Sequence, residues 1–138
     1  MVNSLGLSDK IIFTGSRNDV PRLVAAIDVV VHASSVPEPF GLVIIEGMAA
    51  GKPVVATGAG GVLDILEDGL NGLLVPCRDA EAMARAILQI ISDPDRAKQM
   101  GMAARRCVAE KFTVQHQVMA VQKLYDDILA DPKRRKRQ

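Results

Sequence analysis

Short consecutive apolar runs alternate along this chain with stretches whose apolar positions recur every three and four residues. That pattern predicts buried parallel strands alternating with helices. Ile11, Ile12 and Phe13, closed by Thr14 and Gly15, read as a buried strand leaving its sheet. In the helix expected next, Asn18 or Asp19 caps the start, Pro21 suits the first turn, and Leu23, Val24 and Ile27 form the inward face. Residues 28–32, with Val29, Val30 and Val31 in a row, predict a second strand covered on both faces. Residues 53–57 predict a third strand and residues 73–75 a short fourth, the latter after the turn DGLNG at 68–72. Asp79 caps a helix whose stripe is Met83, Ala86, Ile87, Ile90 and Ile91. Asp93 and Pro94 open another, with Ala97, Met100, Ala104, Cys107 and Val108 on one side. Thr113 caps the last, striped by Val114, Val118, Val121, Tyr125 and Ile128. The methionines are read as core filling. Three βα units, a fourth strand and a helical tail describe an α/β fold, a doubly wound parallel sheet with C-terminal helices.

Residues 38–51, EPFGLVIIEGMAAG, depart from plain structural patterning. A helix over 42–50 is apolar on nearly all sides and is expected to be buried, with Glu46 as its exception. An ionised carboxylate there costs several kcal/mol unless it is paired, so Glu46 is expected to open onto a polar cleft. A helix starting near Gly41 leaves its first N–H groups free and its positive dipole end outward, and a glycine lets a phosphate approach the backbone. Glu46 would then lie roughly 7 to 8 Å further along the axis, with Glu38 on the loop at the mouth. Carboxylates repel a phosphate, so both are expected to accept hydrogen bonds from neutral hydroxyls of the kind sugars present. The preceding loop, ASSVPEPF at 33–40, leaves the carboxyl end of a strand, where open parallel sheets place ligands. Ser34 and Ser35 there either donate to a phosphate or sugar or serve as turn residues, while Pro37 and Pro39 stiffen the loop around Glu38. His32 is read as a satisfied structural histidine. GAGG at 58–61 lacks the third glycine of a dinucleotide fingerprint at its proper distance.

The order Glu, seven residues, Glu, with Phe40 and Gly41 inside it, then GKPVVAT and later GLNGLLVP, resembles the retaining glycosyltransferases of the glycogen-synthase-like group. This is family four, or glycosyl transferase group 1, with the two-domain GT-B architecture, and the resemblance runs over about residues 5–125. It implies a Rossmann-like C-terminal domain that binds a nucleotide-sugar donor, from which a hexose passes to an acceptor with its anomeric configuration kept. Carried over, Glu46 holds the ribose hydroxyls, the backbone at Phe40, Gly41 and Leu42 meets the donor phosphates, and Glu38 meets the sugar as the catalytic candidate. Ser34 and the rim pair Gly60 and Gly61 complete the donor-binding set. Asp64 stands where the family usually has a Glu, one methylene shorter. No cofactor beyond the donor and no metal is implied, and no DxD-like motif sits on the proposed site.

The resemblance also implies two opening strands, bearing a Gly-Arg and a Lys for the donor pyrophosphate, that have no counterpart here; Lys10, Arg17 and Arg22 do not match them. In the strand order 3-2-1-4-5-6 this truncation leaves a gap beside residues 28–32. Either the first strand moves over to fill it or an edge stays unpaired. The expected partners are therefore a second copy of the chain or a missing acceptor-domain chain, and the isolated chain is expected to transfer no sugar. Three alternatives stand: a non-catalytic nucleotide-sugar or phosphate-binding module needing a partner, a GT-B-like epimerase remnant, and a plain interaction domain with Glu46 paired to Lys52 or an arginine.

Composition changes this picture little. At 138 residues and 49% hydrophobic, the chain suits one domain, 1–130, with an ample core. A net charge of +1 calls for no polyanionic partner, and no nucleic acid is expected. The run KRRKR at 133–137 makes 131–138 a basic, disordered tail, with weak contact to an anionic membrane surface as the alternative. Cys77 and Cys107 have neither CxxC spacing nor histidine neighbours, which fits two buried thiols in a reducing compartment. With no signal-like N-terminus and no run of about 18 apolar residues, the expected location is cytoplasmic.

Overall fold

The computed structural model describes residues 1–130, so the basic run at 133–137 lies outside the described residues. A 3-10 turn at Asn3–Leu5 precedes α1 (Val20–Ala26), β1 (Val30–His32), α2 (Leu42–Ala49), β2 (Val54–Thr57), α3 (Val62–Ile65) and β3 (Leu73–Val75). Three longer helices follow: α4 (Ala80–Ile91), α5 (Pro94–Lys111) and α6 (Val114–Ala130). The strands form one parallel sheet in the order β1-β2-β3, with Val30 opposite Val54 and Val55 opposite Leu73.

Helices cover both faces of β2, whose four residues are all buried, but β1 is not covered on both faces as its valine run predicts: at the sheet edge Val31 is 43% exposed. Val30, Val54 and Ala56 turn toward one face and pack with Ile44 and Met48 of α2, Val62 and Ile65 of α3, and Ala104 and Val108 of α5. Val55, Leu73 and Val75 turn to the other and meet Ala86 and Ile90 of α4 and Met100 of α5. Ile44 and Met48 are fully buried, and each such side chain contributes roughly 1.5–3 kcal/mol through area removed from water. The α2 helix lies close enough to β1 that a Cβ on Gly47 would stand 2.8 Å from Val30 Cγ2. The expected caps of the last three helices form: Asp79 accepts from Ala82 N at 2.8 Å, Asp93 from Arg96 N at 3.0 Å, and Thr113 Oγ1 from His116 N at 3.2 Å.

Several sequence expectations give way. Residues 11–13 form no strand: Ile12 is 86% and Phe13 81% exposed, because an apolar run becomes a strand only where an edge offers it hydrogen bonds, and the run does not reach β1. Of the two outcomes foreseen for the gap, the unpaired edge is the one found; among the described residues the sheet has three strands and β1 pairs only with β2. Asp19 sits at the N-cap of α1 but gives the helix no side-chain bond. Its carboxylate is instead gripped by Arg17 Nε and an Arg17 terminal nitrogen at 2.7 and 2.6 Å, and that pairing lowers its pKa from the ordinary carboxylate value. Ile27, placed on the inward face of α1, is exposed.

The α2 helix is buried on one face only. Ile44, Gly47 and Met48 are covered, whereas Leu42 and Val43 stay exposed because the sheet and α5 lie on the opposite side. The α6 helix buries none of its residues: of its expected stripe Val114, Val118, Val121 and Tyr125 are exposed and Ile128 is half-buried. The methionines divide accordingly: Met48 and Met100 fill the core, while Met102 and Met119 are exposed.

Candidate functional site

The carboxyl end of β1 runs into the loop that carries Ser34 to Phe40, and the carboxyl end of β2 into Gly58 to Gly61. These two loops meet backbone to backbone. Glu38 and Gly60 form a parallel bridge, and Gly61 N donates to Glu38 O at 2.7 Å. Both glycines are required there. A Cβ on Gly60 would run into the Glu38 carbonyl, and one on Gly61 into the Pro39 carbonyl and the Phe40 Cα. Gly60 also sits at φ +65°, which a side chain resists.

The α2 helix starts from this junction. Gly41 is its N-cap residue at φ +97°, and its carbonyl accepts from Ile44 N at 3.0 Å. The N–H groups of Leu42 and Val43 have no acceptor among the described residues, as the first turn of a helix dictates. Phe40 lays its ring edge to face against Phe112 at the end of α5, 6.3 Å between centroids, which ties the loop to the helical layer. Thus Glu38, Phe40, Gly41, Leu42, Gly60 and Gly61, scattered over 24 positions, come together through one loop-to-loop contact.

Glu46 lies further along α2, on its exposed side. It lines an apolar groove of about 390 Å³ with Val20, Pro21 and Val24 of the α1 segment and with Ala49 and Ala50, not the polar cleft expected of it, because the α1 segment packs its apolar side chains beside α2. No cation stands within ion-pair distance of it among the described residues, so the reading of Glu46 as a partner of Lys52 or an arginine is not met. Ser34 takes the turn alternative locally: its hydroxyl donates to Val36 O at 2.8 Å and accepts from Val36 N at 3.4 Å. It also lines, with Ser35, Thr57, Arg78 and Met83, a second cavity of about 290 Å³ between the strand ends and the start of α4.

Two residues there escaped the sequence reading. Arg78 takes φ +62°, and the residue type gave no sign of it. His32, read as satisfied, leaves Nδ1 buried without a partner, while its Nε2 lies 3.4 Å from Glu38 Oε2. Asp64 is the third residue of α3 and is exposed. Cys77 and Cys107 are free thiols, half-buried rather than buried. Among the described residues no three His, Cys, Asp or Glu side chains group as a metal site, and no helix is long and apolar enough to cross a membrane.

Against this geometry stand the known proteins that the chain resembles. The sequence profile of the family "Glycosyl transferases group 1" matches residues 1–107. N-acetyl-alpha-D-glucosaminyl L-malate synthase of Bacillus anthracis is 32% identical over 133 residues, covering 96% of this chain and 35% of that protein. The structure of Anabaena HepE with UDP and glucose superposes with a TM-score of 0.84 at 36% identity, over 94% of this chain and 34% of that one. The C-terminal domain of a group 1 glycosyl transferase, LpcC of Francisella tularensis, gives 0.71 at 32% identity, over 82% of this chain and 59% of that one. The chain spans about a third of the length of the first two proteins. With the profile, the identities and the strand-end glycine junction in agreement, the chain belongs to the glycosyl transferases of group 1 and corresponds to a C-terminal domain of that family.

Proposed function

We propose that this chain is the donor-binding part of a retaining glycosyltransferase, holding a nucleoside-diphosphate hexose whose sugar passes to an acceptor with its anomeric configuration kept. The observation that carries the reading is the junction itself. The main chain of Glu38 is tied to Gly60 and Gly61 directly beside a helix start whose Leu42 and Val43 N–H groups have no acceptor among the described residues. Those amides and the dipole of α2 stabilise the diphosphate as it takes up charge on leaving, and Gly41 presents no side chain to obstruct it. Glu38 accepts from hydroxyls of the hexose, Glu46 from those of the ribose, and Ser34, Gly60 and Gly61 border the sugar. No metal is needed for these contacts. The similar HepE structures contain UDP and UDP-glucose, ligands of the class proposed.

Calorimetric titration with UDP, GDP and ADP tests the proposal. At least one diphosphate should bind, and Glu46→Ala should weaken it about tenfold, the loss of one charge-assisted hydrogen bond. Failure of all three overturns the donor reading. A second reading, a binding module that works only with a partner chain, is favoured by the open edge of β1 among the described residues. It predicts donor binding without sugar transfer by the purified chain.

A further inference from the structure

Among the described residues, the one buried side-chain polar atom without a hydrogen-bond partner is Nδ1 of His32. The side chain of His32 is 13% exposed, and the opposite edge of its ring, Nε2, stands 3.4 Å from Oε2 of Glu38. A neutral imidazole carries one proton on one of its two nitrogens. A buried N–H without an acceptor is the costlier orphan, and an unfilled lone pair the cheaper one. The proton therefore belongs on Nε2, where a carboxylate faces it. The ring is borne by β1, whose position is set by pairing His32 with Ala56, whereas Glu38 lies on a loop.

We propose that His32 is a positioning residue whose neutral Nε2–H orients the Glu38 carboxylate toward the hexose of the donor, an inference that rests on the donor reading above. Glu38 is then held at two points. Its carbonyl accepts from Gly61 N, and its Oε2, 3.4 Å from His32 Nε2 without a formed hydrogen bond in this structure, accepts from that N–H once the donor draws the two together, while the 32% of its side chain still exposed is left for substrate hydroxyls. A separation of 3.4 Å is long for such a bond, and contacts of this kind tighten when the ligand arrives.

The chain has only two histidines, so long-range proton–nitrogen spectra of the labelled protein, assigned with His116→Gln, read the His32 tautomer directly. The expected result is an Nε2–H imidazole whose signals move in Glu38→Ala. An Nδ1–H tautomer, or signals indifferent to Glu38→Ala, overturns the pairing. Titration with UDP and with UDP-glucose then reads the consequence. His32→Phe should cut the preference for UDP-glucose over UDP about tenfold while leaving UDP affinity unchanged, and His32→Gln, which keeps an N–H near the same place, should restore most of it. Equal loss of both ligands in His32→Phe marks a general structural role and overturns the proposal. If the unaltered chain binds none of UDP, GDP and ADP, the donor reading and the substrate half of this inference fall together, and the spectra still decide whether His32 holds Glu38; if it binds GDP or ADP instead of UDP, the same titrations are run with that diphosphate and its hexose.

Discussion

Arg78 holds a backbone angle of φ +62°, which brings its Cβ against its own carbonyl and costs about 1–2 kcal/mol in a residue other than glycine. Nothing in the residue's type signals this; the turn from β3 into α4 imposes it. Arg78→Gly should relieve that strain at an entropic cost of about 0.5–1 kcal/mol in the unfolded chain. A net gain of about 0.5–1 kcal/mol in urea unfolding is the expected outcome, and a loss would mean that the guanidinium does structural work at the cavity it lines. Asp19 shows the same dependence on context. Its type and place name it a helix cap, yet Arg17, two residues back, takes its carboxylate and lowers its pKa. The Asp19 side chain is 39% exposed and solvent screens the pair, so its contribution is small. It is present above the ordinary carboxylate range and is lost as pH falls through the lowered value.

At the scale of elements, the two-glycine turn after β2 and the loop before α2 depend on each other. Gly61 sits at φ −62°, an ordinary helical value, so its need to be glycine is steric rather than conformational. Gly61→Ala puts a methyl into the Pro39 carbonyl, and two backbones must part. Loss of about 1–3 kcal/mol in stability is expected, the usual cost of overpacking, with weaker donor binding than Glu46→Ala produces. Unchanged unfolding and binding would show that the junction yields without consequence. The glycine pair was legible in the sequence as a rim motif, but the reason for it was not, since the carbonyl it must avoid lies more than twenty residues earlier in the chain. Periodicity likewise placed α2, α4 and α5, and with them the core positions Ile44, Met48, Ala86, Ile90 and Met100. It failed for residues 11–13 and for the outer side of α2, because a hydrophobic pattern states a demand for burial and does not supply the surface that meets it.

For the molecule as a whole, that unmet demand is concentrated in three places: the open edge of β1, the exposed Ile12 and Phe13, and the uncovered stripe of α6. Surfaces of this kind lose free energy by association, and unpaired strand edges template it. The purified chain is expected to elute from size exclusion larger than a monomer at micromolar concentration. A sharp monomeric peak from well-folded protein would contradict this. What the amino-acid order determined by itself was local: which runs form strands once an edge is present, where helices start and stop, and which residue types crowd the loop before α2. Those follow from backbone sterics, capping and the periods of strand and helix, all of which act within a few residues. Only the tertiary structure decided that Gly60 and Gly61 lock onto Glu38, that His32 faces its carboxylate, and that Glu46 opens onto a groove beside α1. Such contacts join positions far apart in the chain, and their energies exist only after the sheet has brought the strand ends side by side.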